Sequence, residues 1–226
     1  MRSFLLASCP VLLWCFAAFH LVFLILLFRK YAANRNNTLY LLSALVTVGL
    51  FYDALILSLG TVVPAGGLLQ TVSQLRFISH GALIPLLFPI CSCALGLKKP
   101  FSTAVWALTA VLMVLGVAEG FATALEVREI AGVVRYASSD ATPGWAGAVS
   151  SILSYGTVLP LIAAGIVVWV RQKTPALFLS GFLMFAFSAL GPATGNFDLI
   201  FFISMAGEAL MVLFFLLYAD HRQKAA

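Results

Sequence analysis

Long apolar runs, each close to 20 residues or longer, divide this chain, and short polar segments separate them. They cover approximately residues 4–28, 38–60, 68–97, 103–125, 146–170, 175–195 and 198–218. A helix needs about 20 apolar residues to cross the hydrocarbon core of a bilayer. Charged residues make up only 9% of the chain, whereas soluble domains average roughly 25%. The sequence therefore predicts an all-α, polytopic transmembrane bundle of seven helices, with residues 1–226 as one domain.

The weakest boundary in this reading is the last one. Residues 191–198 contain a proline and two glycines, a composition that fits either a turn or a break within one longer helix. Seven spans is the expected number, and six or eight remain the alternatives.

The basic residues give the bundle a direction. Nine of the thirteen Lys and Arg residues fall on one side, three fall on the other, and Arg76 lies inside a span. The nine are Arg29, Lys30, Arg35, Lys98, Lys99, Arg171, Lys173, Arg222 and Lys224. Short cytoplasmic loops are enriched in Lys and Arg. We therefore expect a multi-pass protein of the cell membrane with its N-terminus outside and its C-terminus cytoplasmic. The net charge of +5 then needs no nucleic-acid partner.

The longest separator, residues 126–145, lies on the exterior side. Its residues Val127, Ile130, Val133 and Val134 have helical spacing, which fits a short helix lying in the membrane interface. A plain solvated loop fits equally well. Within the spans, the pairs Gly116/Gly120 and Gly191/Gly195 have the small-xxx-small spacing of close helix contacts.

Ionisable side chains inside a membrane are costly unless they are paired or hydrated, so each one needs an explanation. At a rise of about 1.5 Å per residue, Asp53 lies about 10 Å from the exterior end of its span, Arg76 about 12 Å and Glu119 about 9 Å. His80 follows one turn below Arg76 on the same helix face. Glu208 is placed near the middle of the last span.

Other polar residues complete this pattern. Ser151, Ser154 and Tyr155 belong to the outer half of the fifth span, and Asn196 and Asp198 to the exterior rim. His20 is the exception that we expect in the cytoplasmic half. The sequence thus predicts a polar pocket in the exterior half, whose candidate ligand-binding or proton-binding residues are Asp53, Arg76, His80, Glu119, Tyr155 and Glu208.

The charges in this layer do not balance. Three carboxylates face one arginine, so either some carboxylates are protonated or a cation binds among them. A structural alternative exists for each group, because Arg76 and Asp53 form a plausible packing ion pair and Glu119 lies near enough to the interface to be hydrated. Neither a catalytic residue nor a metal site can be assigned.

The run from Arg76 to Leu87, RFISHGALIPLL, resembles the third helix of microbial rhodopsins. That helix begins with an arginine and an aromatic residue and carries a proline followed by leucines nine residues after the arginine. Chain length, seven spans and an exterior N-terminus are also similar to that family. The resemblance implies a rhodopsin-like bundle.

Three positions depart from the rhodopsin pattern. Ser79 stands where the family has its counterion carboxylate, and His80 stands where it has a tryptophan against the retinal. The last span has no lysine, and a retinal Schiff base needs a lysine amine. We therefore expect no covalently bound retinal, and the cofactor is left unassigned. Either the pocket holds another ligand or the likeness reflects convergent helix packing.

Three classes of function fit these features. The first is binding or sensing of a small or lipidic ligand, or movement of protons or ions through Glu208 and His80. The second is an accessory subunit with a membrane-protein partner or a second copy of the chain. The third is an intramembrane lipid-acting hydrolase. A usual zinc site would need more histidines than His80 alone, but His80 could form a Ser-His-Asp arrangement with Asp53 and either Ser79 or Ser151. The sequence favours a protein that is not an enzyme.

Overall fold

A computed structural model describes residues 2–193, 195 and 200–224, and of residues 2–5, 191 and 192 it describes the backbone alone. The predicted all-α membrane bundle is confirmed. Its helices are α1 (Arg2–Ala33), α2 (Thr38–Leu59), α3 (Gly67–Leu83), α4 (Leu87–Leu95), α5 (Lys99–Ala122), α6 (Gly144–Gln172), α7 (Ala176–Ala193) and α8 (Ile200–Lys224). A 3-10 turn, Ile84–Leu86, joins α3 and α4 into one span, so the described helices form seven rods.

Six of these rods are long and apolar enough to cross a membrane, judged by length and composition over the described residues. The described apolar part of α7, Ala176–Leu190, is shorter. The rods alternate in direction, so the nine basic residues counted above gather at one end. We call this the cytoplasmic end, following the charge count, and the opposite end the exterior end.

The predicted boundary at residues 191–198 is only partly visible. Helix α7 runs to Ala193 and α8 begins at Ile200, while Asn196 and Asp198 lie outside the described residues. Gly195 has a φ of 68° and open space where a Cβ would sit. The prediction that Gly195 is a close-packing position is therefore wrong.

Helices α3 and α5 approach each other through glycines, which confirms the predicted close contact at Gly116 and Gly120. A Cβ on Gly116 would lie 2.3 Å from the carbonyl oxygen of Gly81, and one on Gly120 would lie 2.6 Å from the Cα of Ile78. Small residues allow two membrane helices to meet backbone to backbone. This contact fixes the height of α3 against α5.

The exterior segment after α5 is a β-hairpin, so both predictions for it, an interfacial helix and a plain loop, are wrong. Strand β1 (Leu125–Ile130) pairs antiparallel with β2 (Val133–Ser138), and Ile130 faces Val133 across the turn. The turn residues Ala131 and Gly132 have φ values of 57° and 72°, as a two-residue hairpin turn requires. The β-branched residues that looked helical by spacing also favour strands.

This hairpin lies across the exterior ends of the helices, and we call it the roof. The backbone N–H of Val134 donates to the carbonyl of Gly60 at 2.8 Å, and a Cβ on Gly60 would overlap Val134. Val133 is fully buried in an apolar cluster with Leu13 of α1 and Phe201 of α8. The roof therefore contacts the first, second and last spans.

The cytoplasmic half is filled by apolar side chains and ends in a paired polar network. Asp220 of α8 lies 2.8 Å from the ammonium of Lys30 and accepts a hydrogen bond from the hydroxyl of Tyr40 at 2.6 Å. Nearby, the Tyr218 hydroxyl donates to the side-chain carbonyl of Gln172 at 3.1 Å. These bonds join α1, α2 and α6 to α8 at the membrane surface.

Candidate functional site

Arg76 connects three parts of the exterior half. Its Nη1 lies 3.2 Å from Oδ1 of Asp53 on α2, and its Nη2 donates to the carbonyl of Tyr136 in the roof at 3.2 Å. The two charged side chains are only 10% and 17% exposed. The guanidinium also lies against the ring of Phe77, 4.8 Å from its centroid. The predicted ion pair is thus present, and it anchors the roof to α3.

An outer cavity of about 180 Å³ lies beside this ion pair. Its walls are formed by Asp53, Arg76, Phe77, His80, Glu119, Ser150, Leu153 and Ser154. Glu119 is buried and accepts a hydrogen bond from the Thr123 hydroxyl at 3.2 Å. Four of the six predicted site residues therefore share one cavity. Both of its carboxylates have a partner in the protein, Arg76 for Asp53 and Thr123 for Glu119.

A larger inner cavity, of about 310 Å³, lies deeper in the bundle. Helices α2, α3, α4, α6, α7 and α8 surround it. Its apolar walls are Leu50, Ile84, Leu87, Leu153, Val158, Met184, Phe185, Ile200 and Met211. Its polar walls are His80, Ser154, Tyr155, Thr157, Ser188, Ser204 and Glu208. The remaining two predicted site residues, Tyr155 and Glu208, belong here, and His80 lines both cavities.

The polar walls of the inner cavity differ in their bonding. The Thr157 hydroxyl donates to the carbonyl of Leu153 at 2.6 Å. The side chains of the other polar wall residues form no hydrogen bond in the described part of the chain. These residues are His80, Ser154, Tyr155, Ser188, Ser204 and Glu208. Oε2 of Glu208 is buried without a partner among those residues. Of these six residues only Glu208 is buried, and buried polar groups are normally hydrogen-bonded, so Glu208 is the unusual group of this cavity.

His80 forms part of the wall between the two cavities. It shares that position with Leu153 and Ser154 of α6, which also line both spaces. The two cavities are therefore neighbours separated by one layer of side chains.

The structure corrects the depth of His20. The indole N–H of Trp14 donates to the Thr61 hydroxyl at 3.1 Å, which sets these two residues at one level. Six residues further along α1, His20 lies about 9 Å deeper, close to the level of Asp53 on α2. His20 belongs to the exterior half, and its placement in the cytoplasmic half was wrong because residues 2–13 of α1 lie above the level of Thr61, so the helix begins well outside the depth at which α2 ends.

His20 is also fully buried. One ring nitrogen bonds the carbonyl of Phe16 at 2.8 Å, and Nε2 has no partner among the described residues. Its imidazole lies within electrostatic reach of Asp53. A sequence signal for its depth existed in Trp14, since tryptophan is enriched at membrane interfaces.

The serines proposed for a Ser-His-Asp arrangement bond elsewhere. The Ser79 hydroxyl donates to the carbonyl of Arg76 at 3.0 Å, and that of Ser151 donates to the carbonyl of Gly147 at 3.0 Å. Within the described ranges, no group of three or more His, Cys, Asp or Glu side chains could hold a metal ion. Sequence reasoning also missed Tyr136, which takes part through its backbone carbonyl, and Ser188, which lies in an apolar helix without a charge to mark it.

Comparison with protein-family models, with curated proteins and with solved structures finds no match to this chain. The resemblance of the third span to microbial rhodopsins therefore stays a prediction. What can be said of function depends on the two cavities and the groups that line them.

Proposed function

We propose that this membrane protein binds a small amphipathic amine in the inner cavity. The observation that carries the proposal is the set of polar side chains around that cavity without partners in the described chain, above all Glu208. Cavities that hold small molecules measure roughly 300–1,000 Å³. At about 310 Å³, this one suits a compact ligand.

The chemistry of the walls favours a ligand with two different ends. Leucine, isoleucine, methionine and phenylalanine side chains would surround an apolar body, whose transfer from water contributes about 25 cal/mol per Å². Glu208, Ser204 and His80 would face a polar head. A carboxylate accepts hydrogen bonds most strongly from a charged donor, so an ammonium group fits best.

Arg76, the cation that lines the neighbouring outer cavity, is already engaged. Arg76 bonds both Asp53 and the roof, and Oε2 of Glu208 has no described partner. A positively charged ligand would supply the missing partner and reduce the excess of carboxylates in this half of the bundle. The same arrangement gives a carboxylate ligand no comparable partner and opposes it by charge repulsion.

Binding is better supported than passage across the membrane. Between Glu208 and Asp220 the helix advances about 18 Å, and along that stretch Met211, Val212, Phe215 and Leu216 are buried in the apolar core. A binding site does not need a polar route through this region, whereas a pathway for protons or ions would need one.

The test compares three ligands that differ only in their heads: octylamine, octanol and octanoate. Binding to the purified protein in nanodiscs is measured by native mass spectrometry for wild type, Glu208→Gln and Glu119→Gln. We expect one octylamine per chain, bound at least tenfold more tightly than octanoate. Tenfold corresponds to about 1.4 kcal/mol.

The two variants are matched, because both remove a buried carboxylate of the exterior half. Glu208→Gln should weaken octylamine binding at least tenfold, while Glu119→Gln, whose carboxylate lines the outer cavity, should leave it within about twofold. Equal binding of all three ligands, or tightest binding of octanoate, would overturn the proposal.

A further inference from the structure

Helices α6 and α7 meet backbone to backbone near their cytoplasmic ends. A Cβ on Gly165 would lie 2.4 Å from the Cα of Phe178, and one on Gly181 would lie 3.0 Å from Cγ1 of Ile162. Glycines at these positions allow the two backbones to touch. The tight contact therefore lies in the part of the pair that adjoins the short connection between them.

Toward the exterior, the inner cavity lies between the same two helices. Residues 153–158 of α6 and residues 184, 185 and 188 of α7 line it. Two of these residues are also exposed at the outer surface of the bundle, Tyr155 by 62% and Phe185 by 37%. Because Tyr155 of α6 and Phe185 of α7 line the cavity and are also exposed, the cavity reaches the surface of the bundle between them. We call this opening the lateral gap.

The lateral gap lies at the depth of the hydrocarbon. Tyr155 lies sixteen residues from Arg171 at the cytoplasmic end of α6, which is about 24 Å along the helix axis and within the roughly 30 Å thickness of the hydrocarbon. Its hydroxyl has no hydrogen-bond partner among the described residues, although an unsatisfied polar group at this depth is costly. A polar group of a molecule passing or resting in the gap would satisfy it.

The other two approaches to the inner cavity are obstructed. On the exterior side, Arg76 is tied to Asp53 and to the carbonyl of Tyr136 in the roof. On the cytoplasmic side, Phe215 and Leu216 belong to the packed apolar core. Among the described elements, the lateral gap is the approach to the inner cavity along which a ligand would have to displace the fewest side-chain contacts.

From this geometry we infer that the ligand reaches the inner cavity sideways from the exterior leaflet of the bilayer, through the lateral gap. This inference rests on the proposed function and sharpens it. The ligand is then a membrane-partitioning amphiphile with a basic head, and a freely water-soluble amine is excluded. Tyr155 acts as a positioning residue at the rim of the gap.

The experiment closes the gap chemically. Tyr155→Cys and Phe185→Cys place one thiol on each rim, in a background with Cys15→Ser and Cys93→Ser because those native cysteines are at least partly accessible. A bifunctional thiol reagent then bridges the rims in nanodisc-embedded protein. The probe is octylamine carrying a photoreactive diazirine, delivered from donor vesicles and fixed by light at set times.

Bridging before the probe is added should slow its loading at least tenfold. Bridging after loading should slow its release into acceptor vesicles at least tenfold. The unbridged double-cysteine protein is the reference for both rates. Single-cysteine variants treated with a monofunctional reagent are the control, and they should load within about twofold of their unmodified forms.

The possible failures are distinguishable. If bridged protein loads and releases the probe at the reference rates while binding the same amount, the ligand uses another route, and the inference is wrong although the proposed function stands. If unbridged protein and wild type bind no stoichiometric probe, both are wrong. Equal labelling by a diazirine propylamine that does not partition into vesicles would overturn the membrane route alone.

Discussion

Helix α8 carries a carboxylate in each half of the bundle, and the two have opposite surroundings. At the cytoplasmic end, Asp220 is bound by Lys30 and Tyr40. Twelve residues earlier, Glu208 is more deeply buried and has a carboxylate oxygen without a partner in the described chain. The comparison teaches that a charged residue in a membrane helix can hold the bundle together or leave its bonding capacity for another molecule. The partners available to the charged side chain decide which of these two roles it has.

The largest expected effect tests the ion pair between Arg76 and Asp53. Replacing Arg76 by methionine leaves Asp53 buried beside apolar side chains, and breaking a buried pair in this way costs about 3–5 kcal/mol. The free energy of unfolding is measured by SDS titration in mixed micelles. The double variant Arg76→Met with Asp53→Asn removes both charges and should recover most of the loss. Equal losses in the single and double variants would instead assign the effect to the bond between Arg76 and the roof.

A smaller effect is expected at the cytoplasmic end. Asp220→Ala removes the charged acceptor of the buried Tyr40 hydroxyl, which keeps Gln223 as its second acceptor at 2.6 Å, and losing a hydrogen bond to a charged group costs about 1.5–3 kcal/mol. Asp220→Asn keeps an acceptor and loses only the half-exposed ion pair with Lys30, which is worth about 0–1 kcal/mol. Both are followed by the same SDS titration. If the two variants lose equal stability, the ion pair rather than the tyrosine bond holds this end together.

The smallest effect on stability is expected at Glu208 itself. Glu208→Gln removes no bond to a described residue, so the free energy of unfolding should change by no more than about 0.5 kcal/mol. Thermal unfolding in ligand-free detergent, followed by tryptophan fluorescence, provides the measurement. A loss of about 2 kcal/mol or more would mean that Glu208 holds the fold, and the contrast with Asp220 would disappear.

Much of the architecture was predictable from the sequence because apolar runs and basic flanks report directly on the membrane. The span boundaries at Thr38 and Lys99 differ from their predicted positions by a few residues at most. Depth arithmetic also placed Asp53, Arg76, His80 and Glu119 at heights that allow them to share a cavity. It failed for His20, since the first residues of α1 lie above the level at which α2 ends.

The rest depended on contacts that no local pattern encodes. The partner of Gly116 is Gly81, thirty-five residues away in the sequence. The roof was missed because its β-branched residues mimic a helical spacing, while the Ala131–Gly132 turn carries a weak sequence signal. The division of one polar layer into two cavities follows from how His80, Leu153 and Ser154 pack between them, and hydropathy does not report on that packing.

The contacts of the roof also constrain the order in which this protein can be completed. The hairpin is synthesised before α7 and α8, yet two of its residues contact α8. Arg135 packs over the ring of Phe201, and Val133 is buried in one cluster with Phe202 and Met205. Those contacts can form only after the last helix has been inserted. The exterior face therefore stays open during biogenesis, and arrival of the final span is the step that closes it.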